Sequence, residues 1–400
     1  MGVKVKYIMI LLSIYYSMDR FSIAFGSISL GDILFLVVLV LFLIDLIRSQ
    51  ILMNQFGRFF LFYIILLLLT SLLNSSLYKG AFLNIFRTNL LGFTFYTYIY
   101  SIVANRKLKL KTFAIGIAIL CLAFVYRTLP EIRKTWSQQG FAVTDIFESS
   151  LNLNTWGFTL LLFFFTFLLF WNHGLIKYYS IVGAIFIGSL IILSFSRNAI
   201  ALLLLNITWV MIYIYKRNLK KLIFPALIAL VIYFAVDLYK LIGIGVTDKS
   251  LLFFSNKTNA FFSDVVDTRL YYINITPIKF YFDKFSILQL FIGDGVSVQH
   301  SFLSNTLIVS GIIGFFIFFT RFVWAYRFAI KSKERYDNSD NSKFLMLFII
   351  IFLVNDFITN TSFFLPISSY ISYIIFGFLF GIAKRESMKK DYIVAQIKKF

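Results

Sequence analysis

The chain has 400 residues, of which 60% are hydrophobic and 14% charged, and its mean hydropathy is +0.85. A water-soluble domain is close to half apolar and a quarter charged, so this composition excludes an ordinary soluble enzyme. The formal net charge of +20 does not indicate nucleic-acid binding, because the basic residues lie in short segments between apolar runs, as the positive-inside rule predicts for membrane proteins.

Apolar runs of bilayer length follow one another along the chain. A hydrocarbon core roughly 30 Å thick needs about 20 mostly apolar residues in one helix, and these runs are apolar on every side, unlike the alternating strands of membrane barrels. They predict an all-α polytopic membrane protein with about 12 transmembrane helices. The predicted spans are 7–25, 29–47, 59–77, 81–103, 112–129, 152–171, 178–196, 198–215, 222–243, 302–326, 344–364 and 367–383.

Lysine and arginine concentrate in alternate segments between the predicted spans. With about 12 spans, all these segments fall on one side of the membrane, which is therefore predicted to be cytoplasmic together with both termini. The basic residues concerned are Lys4, Lys6, Arg48, Arg58, Arg106, Lys107, Lys109, Lys111, Lys177, Lys216, Arg217, Lys220, Lys221, Lys331, Lys333, Arg335, Lys343, Lys384, Arg385, Lys389 and Lys390.

Two sizeable loops interrupt this pattern on the outer side. We interpret 1–400 as a single integral membrane domain with a smaller outer loop at 130–151 and a larger one at 244–300. The larger loop mixes charges with apolar stretches such as Phe280-Tyr281-Phe282 and Ile287-Leu288, which predicts amphipathic segments on the outer membrane surface. Its length favours a functional site. The single cysteine, Cys121, excludes an internal disulfide, and the sequence has no Cys/His cluster for structural zinc.

Ionisable residues within or beside membrane spans are costly and are therefore functional candidates. Several lie on the predicted outer side. Arginine binds phosphate oxygens in pairs, and histidine is a candidate general base, so this set suits a lipid diphosphate in the outer leaflet. The alternative to a binding role for any single arginine is that its side chain snorkels to the lipid headgroups. For Asp32, Asp283 and Asp356, the sequence does not favour an acid–base role over pairing with a nearby arginine. The outer set comprises Arg20, Arg87, Arg127, Arg197, Arg269, His300, Asp32 and Asp356, whereas His173 lies on the cytoplasmic side and is interpreted as structural or incidental.

Short motifs in the middle of the chain resemble those of the O-antigen polymerase and O-antigen ligase superfamily. Ser194-Phe195-Ser196-Arg197 resembles its S-x-S-R segment. A glycine- and histidine-containing series resembles its G-x-G…H-x-x-x-L…G-x-x-G signature after a large periplasmic loop, although Ser301 stands where asparagine is common. Thr268-Arg269-Leu270 and Asn152-Leu153-Asn154 occupy the places of two further family segments. The series is Gly293-Asp294-Gly295, His300-Ser301-Phe302-Leu303 and Gly311-Ile312-Ile313-Gly314.

The resemblance implies a GT-C-like, metal-independent, inverting glycosyltransferase of the bacterial cytoplasmic (inner) membrane. Its donor would be an undecaprenyl-diphosphate-linked oligosaccharide, and it would need no metal and no cofactor. Arg197 and Arg269 would bind the diphosphate and stabilise the leaving group, and His300 would position or deprotonate the acceptor sugar hydroxyl. Arg87, Arg127 and Asn154 are further expected substrate-binding residues. Besides the lipid bilayer, a chain-length regulator protein is a candidate partner, and no nucleic acid is expected.

The resemblance does not separate a polymerase from a ligase. A polymerase joins one lipid-linked glycan to another, whereas a ligase transfers the glycan to lipid A-core or a protein. We favour the polymerase for the synthesis of O-antigen or a similar surface polysaccharide. A lipid-linked oligosaccharide flippase and a passive scaffold are the alternatives from other classes. A flippase would need charges along a path through the whole membrane, and the sequence shows no internal repeat of the kind common in transporters.

Overall fold

The computed structural model describes residues 2–17, 20–23, 26–48, 50–73, 79–139, 153–193, 197–214, 279, 283, 285–294, 302–335, 340–359 and 366–397. Within these ranges the chain is helical apart from one two-stranded hairpin. The elements are α1 (Val3–Tyr16), β1 (Arg20–Ile23), β2 (Gly26–Ser29), α2 (Leu30–Ile47), α3 (Gln55–Leu73), α4 (Lys79–Ala104), α5 (Leu110–Gln139), α6 (Leu153–Asn172), α7 (Lys177–Leu193), α8 (Arg197–Trp209) with a π-helical turn (Val210–Ile214), α9 (Ile287–Ile292), α10 (Phe302–Arg335), α11 (Asp340–Thr359) and α12 (Pro366–Ile397).

The predicted spans coincide with helices along most of the described chain. The predicted spans 29–47, 81–103 and 152–171, for example, match α2, α4 and α6 to within two residues at each end. Long apolar runs favour helices because leucine and other unbranched residues lose little rotamer freedom there. The predicted span 222–243 lies outside the described residues, as do positions 244–278 of the larger outer loop.

The first predicted span is wrong beyond Tyr16. Instead of a helix over 7–25, α1 ends at Tyr16, and β1 pairs with β2 in antiparallel register, with Arg20 opposite Ser29 and Ile23 opposite Gly26. The segment alternates apolar and polar residues with a period of two, which suits a strand better than a helix. Polar Asp19 and Arg20 also end the apolar run before a bilayer-length helix is complete.

The smaller outer loop begins later than predicted. Helix α5 continues through Pro130 to Gln139, so the first part of the predicted loop 130–151 is helical. Proline removes only one backbone donor from a helix, and the residues after it, such as Glu131, Arg133 and Lys134, are helix-compatible. The remainder of that loop lies outside the described residues.

The centre of the bundle is the contact between α4 and α12, which is the most extensive helix pair of the described chain. Gly377 and Gly381 stand one turn apart on α12, and a Cβ atom on Gly377 would lie 2.7 Å from the carbonyl oxygen of Tyr96. Small residues spaced by four let two helix backbones approach closely, as in membrane helix pairs. The G-x-x-x-G spacing of α12 therefore sets the distance to α4.

Aromatic rings fill the space between α3, α10 and α12. The ring of Phe56 on α3 lies 5.2 Å from Phe376 on α12 and 6.0 Å from Phe322 on α10. Edge-to-face and offset pairs at these centroid distances contribute beyond simple area burial. On the other side of the bundle, the buried indole of Trp156 donates to the Thr128 hydroxyl at 2.8 Å and joins α6 to α5.

The periphery of the bundle is apolar as well as the core. On α2, large apolar side chains with 54%, 59% and 56% exposure stand at Ile33, Leu36 and Val40, and similar stripes cover α5 and α7. Soluble monomers rarely expose such continuous apolar faces. Among the described residues, two helical segments, Leu110–Pro130 and Thr306–Ser332, are long and apolar enough to cross a membrane.

Candidate functional site

Two glycine segments of the predicted signature come together at the beginning of α10. Gly293 follows α9 with φ +82°, and Gly311 interrupts α10 with φ +63° and ψ −172°. A Cβ atom built on Gly293 would lie 2.4 Å from the carbonyl of Val309, and one built on Gly311 would lie 2.4 Å from the carbonyl of Phe291. Both positions therefore require glycine, for the left-handed backbone and for the close approach of the two chains.

The chain that enters this junction replaces a hydrogen bond of the broken helix. In an unbroken α-helix the carbonyl of Ile308 would accept from the N–H of Ile312. Here it accepts from the backbone N–H of Asp294 at 2.8 Å. Buried backbone groups are almost always paired, so the Gly293–Asp294 segment stabilises the interruption of α10 at Gly311.

Helix α3 fixes the other side of the junction. The Thr70 side chain is fully buried, and its hydroxyl donates to the carbonyl of Ile292, the last residue of α9, at 2.7 Å. Near Gly314 the two helices are also close, because a Cβ there would lie 3.0 Å from a methyl carbon of Leu66. We call the set Thr70, Ile292, Gly293, Asp294, Ile308 and Gly311 the glycine junction.

Helix α9 extends from the glycine junction with an apolar side uncovered. A capping box between Ser286 and Gln289 starts the helix. Ile287, Leu288 and Phe291 are 77%, 52% and 50% exposed. The Ile287-Leu288 stretch is thus part of a short helix with exposed apolar side chains, and its amphipathic character and its location on a membrane surface stay predictions.

Arg127 is the predicted site residue whose described contacts are clearest. Its Nη1 donates to the carbonyl oxygen of Tyr15 at 3.4 Å, and its guanidinium carbon lies 5.5 Å from the centre of the Tyr15 ring. Tyr15 is in the last turn of α1, where a cation interacts favourably with the free carbonyls and the helix dipole. Arg127 therefore holds α5 to the end of α1, besides any role in substrate binding.

Arg87 lies in the third turn of α4 and is half-buried. It is next to the buried Thr88 and Asn89. Its role as a substrate-binding residue stays a prediction.

The other predicted site residues are placed in part. Arg197 is the first residue of α8, and Asn154 is in the first turn of α6, but their side chains lie outside the described part of the chain. Helix α11 packs against both α8 and α10, and α6 packs against α8. The helices that begin at Leu153 and Arg197 therefore pack directly on each other, and α11 connects the helix that begins at Phe302 to them. His300 and Arg269 lie outside the described residues, as do the side chains of Arg20, Asp32 and Asp356, and Asp283 is exposed.

A fully buried arginine, Arg321, was missed by the sequence reasoning. Its guanidinium carbon lies 4.1 Å from the ring centre of Phe318, 4.5 Å from that of Phe60 and 5.0 Å from that of Phe322. Aromatic faces attract a guanidinium electrostatically, the more so where water is excluded. The sequence does place Arg321 inside the predicted span 302–326. The predicted site residues, by contrast, were those at the outer ends of the spans.

A second missed group joins three helices at the end of the bundle opposite to the glycine junction. Lys6 on α1 forms a salt bridge with Asp45 on α2 at 2.6 Å, and the Tyr98 hydroxyl on α4 donates to the same carboxylate oxygen at 2.5 Å. Asp45 is 7% exposed. An almost buried charge needs such partners, so this group is a structural connection between α1, α2 and α4.

His173 lies in the turn between α6 and α7, close to the first residues of α11. Burial lowers the pKa of His173 below its ordinary value, which a hydrogen bond with Asn341 and the charge of Asp340 partly offset. The Asn341 amide donates to Glu386 of α12, and burial raises the pKa of that carboxyl. These contacts connect α6, α11 and α12, as expected for a structural histidine.

Chemically, the glycine junction can position whatever follows it. It fixes the main chain on both sides of the 295–301 segment, which contains His300, against α3 and α10. Among the described residues no group of His, Cys, Asp and Glu has the arrangement of a metal site. Comparison of the sequence with models of protein families gives no match, and comparison with curated proteins gives none either.

Proposed function

We propose that the chain is a multi-span membrane glycosyltransferase that polymerises undecaprenyl-diphosphate-linked oligosaccharide repeat units on the outer face of the cytoplasmic membrane. The observation that carries the proposal is the glycine junction. Gly293 and Gly311 belong to the two glycine segments of the signature, and they are the residues whose backbones touch. A chance occurrence of a short motif gives no reason for its glycines to be required by the fold.

Membrane insertion of the whole bundle is supported by its apolar periphery. Exposed stripes on α2, α5 and α7 include Leu36, Ile119 and Val182 at 59%, 61% and 66% exposure. Lipid tails cover such stripes at no cost, whereas water does not. The alternation of basic segments along the chain supports the orientation with both termini in the cytoplasm.

The position of the glycine junction supports chemistry on the outer side. In this orientation α3 ends, and α10 begins, at the outer face, and the interruption of α10 at Gly311 lies about two and a half turns after the first residue of α10. Broken helices in membrane proteins expose backbone groups to a cavity and often form substrate sites. The 295–301 segment directly follows the glycine junction, so His300 would lie close to it on the outer side.

The proposed reaction is a single displacement. His300 takes the proton from an acceptor sugar hydroxyl, and that oxygen forms a bond to the anomeric carbon of the donor as the bond to the diphosphate oxygen breaks. The glycan is thereby lengthened with inversion, undecaprenyl diphosphate leaves, and the proton stays on His300. Arg197 and Arg269 hold the diphosphate and stabilise the negative charge that develops on it, which is where preorganised donors lower the barrier.

The test is complementation of a strain that lacks its polysaccharide polymerase. His300→Ala, Arg197→Ala and Arg269→Ala should each abolish the polysaccharide ladder on a gel while the protein still accumulates in the membrane. Arg58→Ala, an exposed arginine on α3 at the predicted cytoplasmic end, is the matched control and should leave the ladder intact. Wild-type ladders from all three site variants would contradict the proposal.

The same gel distinguishes polymerase from ligase. A single repeat unit on the acceptor in place of the ladder identifies loss of polymerisation. Loss of all surface glycan, with lipid-linked polymer accumulating inside, identifies a ligase instead.

A further inference from the structure

A groove of about 520 Å³ runs along the surface between α1 and α5. Its walls include Ile8, Leu12, Ile115 and Ile119, which are 51%, 40%, 42% and 61% exposed. These side chains are large and apolar, so the groove offers a continuous apolar surface of concave shape.

The two helices that form the groove run parallel and are tied together at both ends. At one end the Tyr7 hydroxyl donates to the carbonyl of Phe113 at 2.8 Å, and at the other Arg127 donates to the carbonyl of Tyr15. The lining extends from Lys4 to Tyr16 on α1, about 18 Å at 1.5 Å per helical residue. One leaflet of the hydrocarbon core is roughly 15 Å thick, so the groove is about as long as one leaflet.

The two ends of the groove differ in charge. Lys4 lines one end, and Lys109 and Lys111, which are exposed, stand beside Thr112 at that same end. Lys6 does not contribute, because it pairs with Asp45. At the opposite end Arg127 is in contact with Tyr15, and the groove is lined there by tyrosines rather than by a cation. The exposed positive charge is therefore concentrated at the end of the groove where α1 and α5 begin, which is the predicted cytoplasmic end.

We propose that the groove between α1 and α5 binds an acyl chain of an anionic glycerophospholipid from the cytoplasmic leaflet, with the lipid phosphate at Lys4 and Lys111. An apolar channel of leaflet length suits the acyl chain, and lysines at its cytoplasmic end attract an anionic headgroup. The inference rests on the membrane orientation in the proposed function but not on the glycosyl transfer. The lipid would fill the space between α1 and α5 and act as a structural ligand.

Native mass spectrometry of the full-length protein tests this directly. The protein is purified, stripped of lipid in detergent, and mixed with phosphatidylglycerol or phosphatidylcholine of identical acyl chains. We expect preferential retention of one phosphatidylglycerol, and roughly fivefold weaker retention for each of Lys4→Gln and Lys111→Gln, as expected for one lysine at a membrane surface. Lys177→Gln, an exposed lysine at the start of α7, is the matched control and should not change retention.

A second variant tests the groove itself. Ala123 lines it, and Ala123→Phe should fill it and abolish retention, whereas Val182→Phe on the exposed face of α7 should not. Equal retention of the two lipids by the wild-type protein, equal loss in the Lys177→Gln control, or displacement of phosphatidylglycerol by undecaprenyl phosphate would overturn the inference. Polymer formation in the complementation assay is read separately, so equal retention of the two lipids by a wild-type protein that still makes polymer rejects the groove proposal alone.

Discussion

Gly293 and Gly311 lie back to back, each in a left-handed backbone conformation and each without room for a Cβ atom. Gly293 follows α9, at the end of the predicted outer loop, and Gly311 lies at the break in α10. Because the two segments are in contact, the backbone N–H of Asp294 donates to the carbonyl of Ile308. In an unbroken helix that carbonyl would accept from the N–H of Ile312. The close approach of the two segments thus depends on glycine at both positions.

Alanine at either glycine should therefore disrupt the junction. Gly293→Ala and Gly311→Ala each combine an unfavourable φ with a contact to backbone that cannot move aside, and we expect a loss of about 3 kcal/mol, the upper range for strained backbone. Gly188→Ala is the matched control, because a Cβ there meets only the Phe164 ring at 3.5 Å, and it should be neutral or stabilising by up to about 1 kcal/mol. Thermal unfolding in detergent measures all three, and equal midpoints for all three would contradict the account.

The sequence was sufficient for the helices but not for this contact. Apolar runs predicted the positions of α2, α4 and α6 because a helix of bilayer length needs a continuous apolar stretch. The contact between Gly293 and Gly311 is a matter of two backbones meeting in space, and no local pattern encodes it. The glycines were noted only through a family resemblance, which carries no geometry.

Because aromatic rings surround Arg321, we expect the stability of the protein to depend on the size of this side chain more than on its charge. Arg321→Ala removes a fully buried side chain from between Phe60 and Phe318 and should cost about 3–5 kcal/mol by leaving a cavity. Arg321→Met keeps the length and removes a buried charge, which is often neutral or stabilising, so its effect should stay within about 1.5 kcal/mol. Thermal midpoints of the two variants give the comparison. A methionine variant as unstable as the alanine variant would mean that the charge itself is required.

From the salt bridge between Lys6 and Asp45 we expect the double variant to be more stable than the single variant Lys6→Met. Lys6→Met leaves the Asp45 carboxylate with the Tyr98 hydroxyl and the charge of Lys107 and should destabilise by about 3 kcal/mol, as for other buried pairs broken on one side. Adding Asp45→Asn should recover most of this loss, since the amide oxygen still accepts from Tyr98. Unfolding midpoints of the two single variants and the double variant measure the coupling. Additive losses would show that the two residues do not stabilise the protein as a pair.

The burial of His173 predicts that the protein loses stability as the pH falls. Burial lowers its pKa in the folded protein, so the fold favours the neutral imidazole. This contribution is complete above the unfolded-state pKa of about 6.5 and is lost as the pH falls through and below it. His173→Gln should therefore lose less stability than the wild-type protein between about pH 7 and pH 5. Parallel pH profiles for the two proteins would exclude His173 as the group responsible.

The wrong first span and the overlooked Arg321 each have a physical cause that the sequence shows in part. The alternating residues around Ser22 and Ile28 indicated strands, but the length of the preceding apolar run favoured one continuous helix. Arg321 stood within a predicted span, and the assumption that function lies on the outer side directed attention to Arg197 and Arg87.

The central claim is that this protein joins lipid-linked repeat units, and reconstitution tests it most directly. The purified full-length protein is placed in liposomes with undecaprenyl-diphosphate-linked repeat unit and a metal chelator, and the products are separated by size. The account predicts a ladder of lengthened glycans from the wild-type protein and none from His300→Ala at the same reconstituted amount. Unchanged single repeat units with the wild-type protein, or their transfer across the bilayer without lengthening, would contradict it.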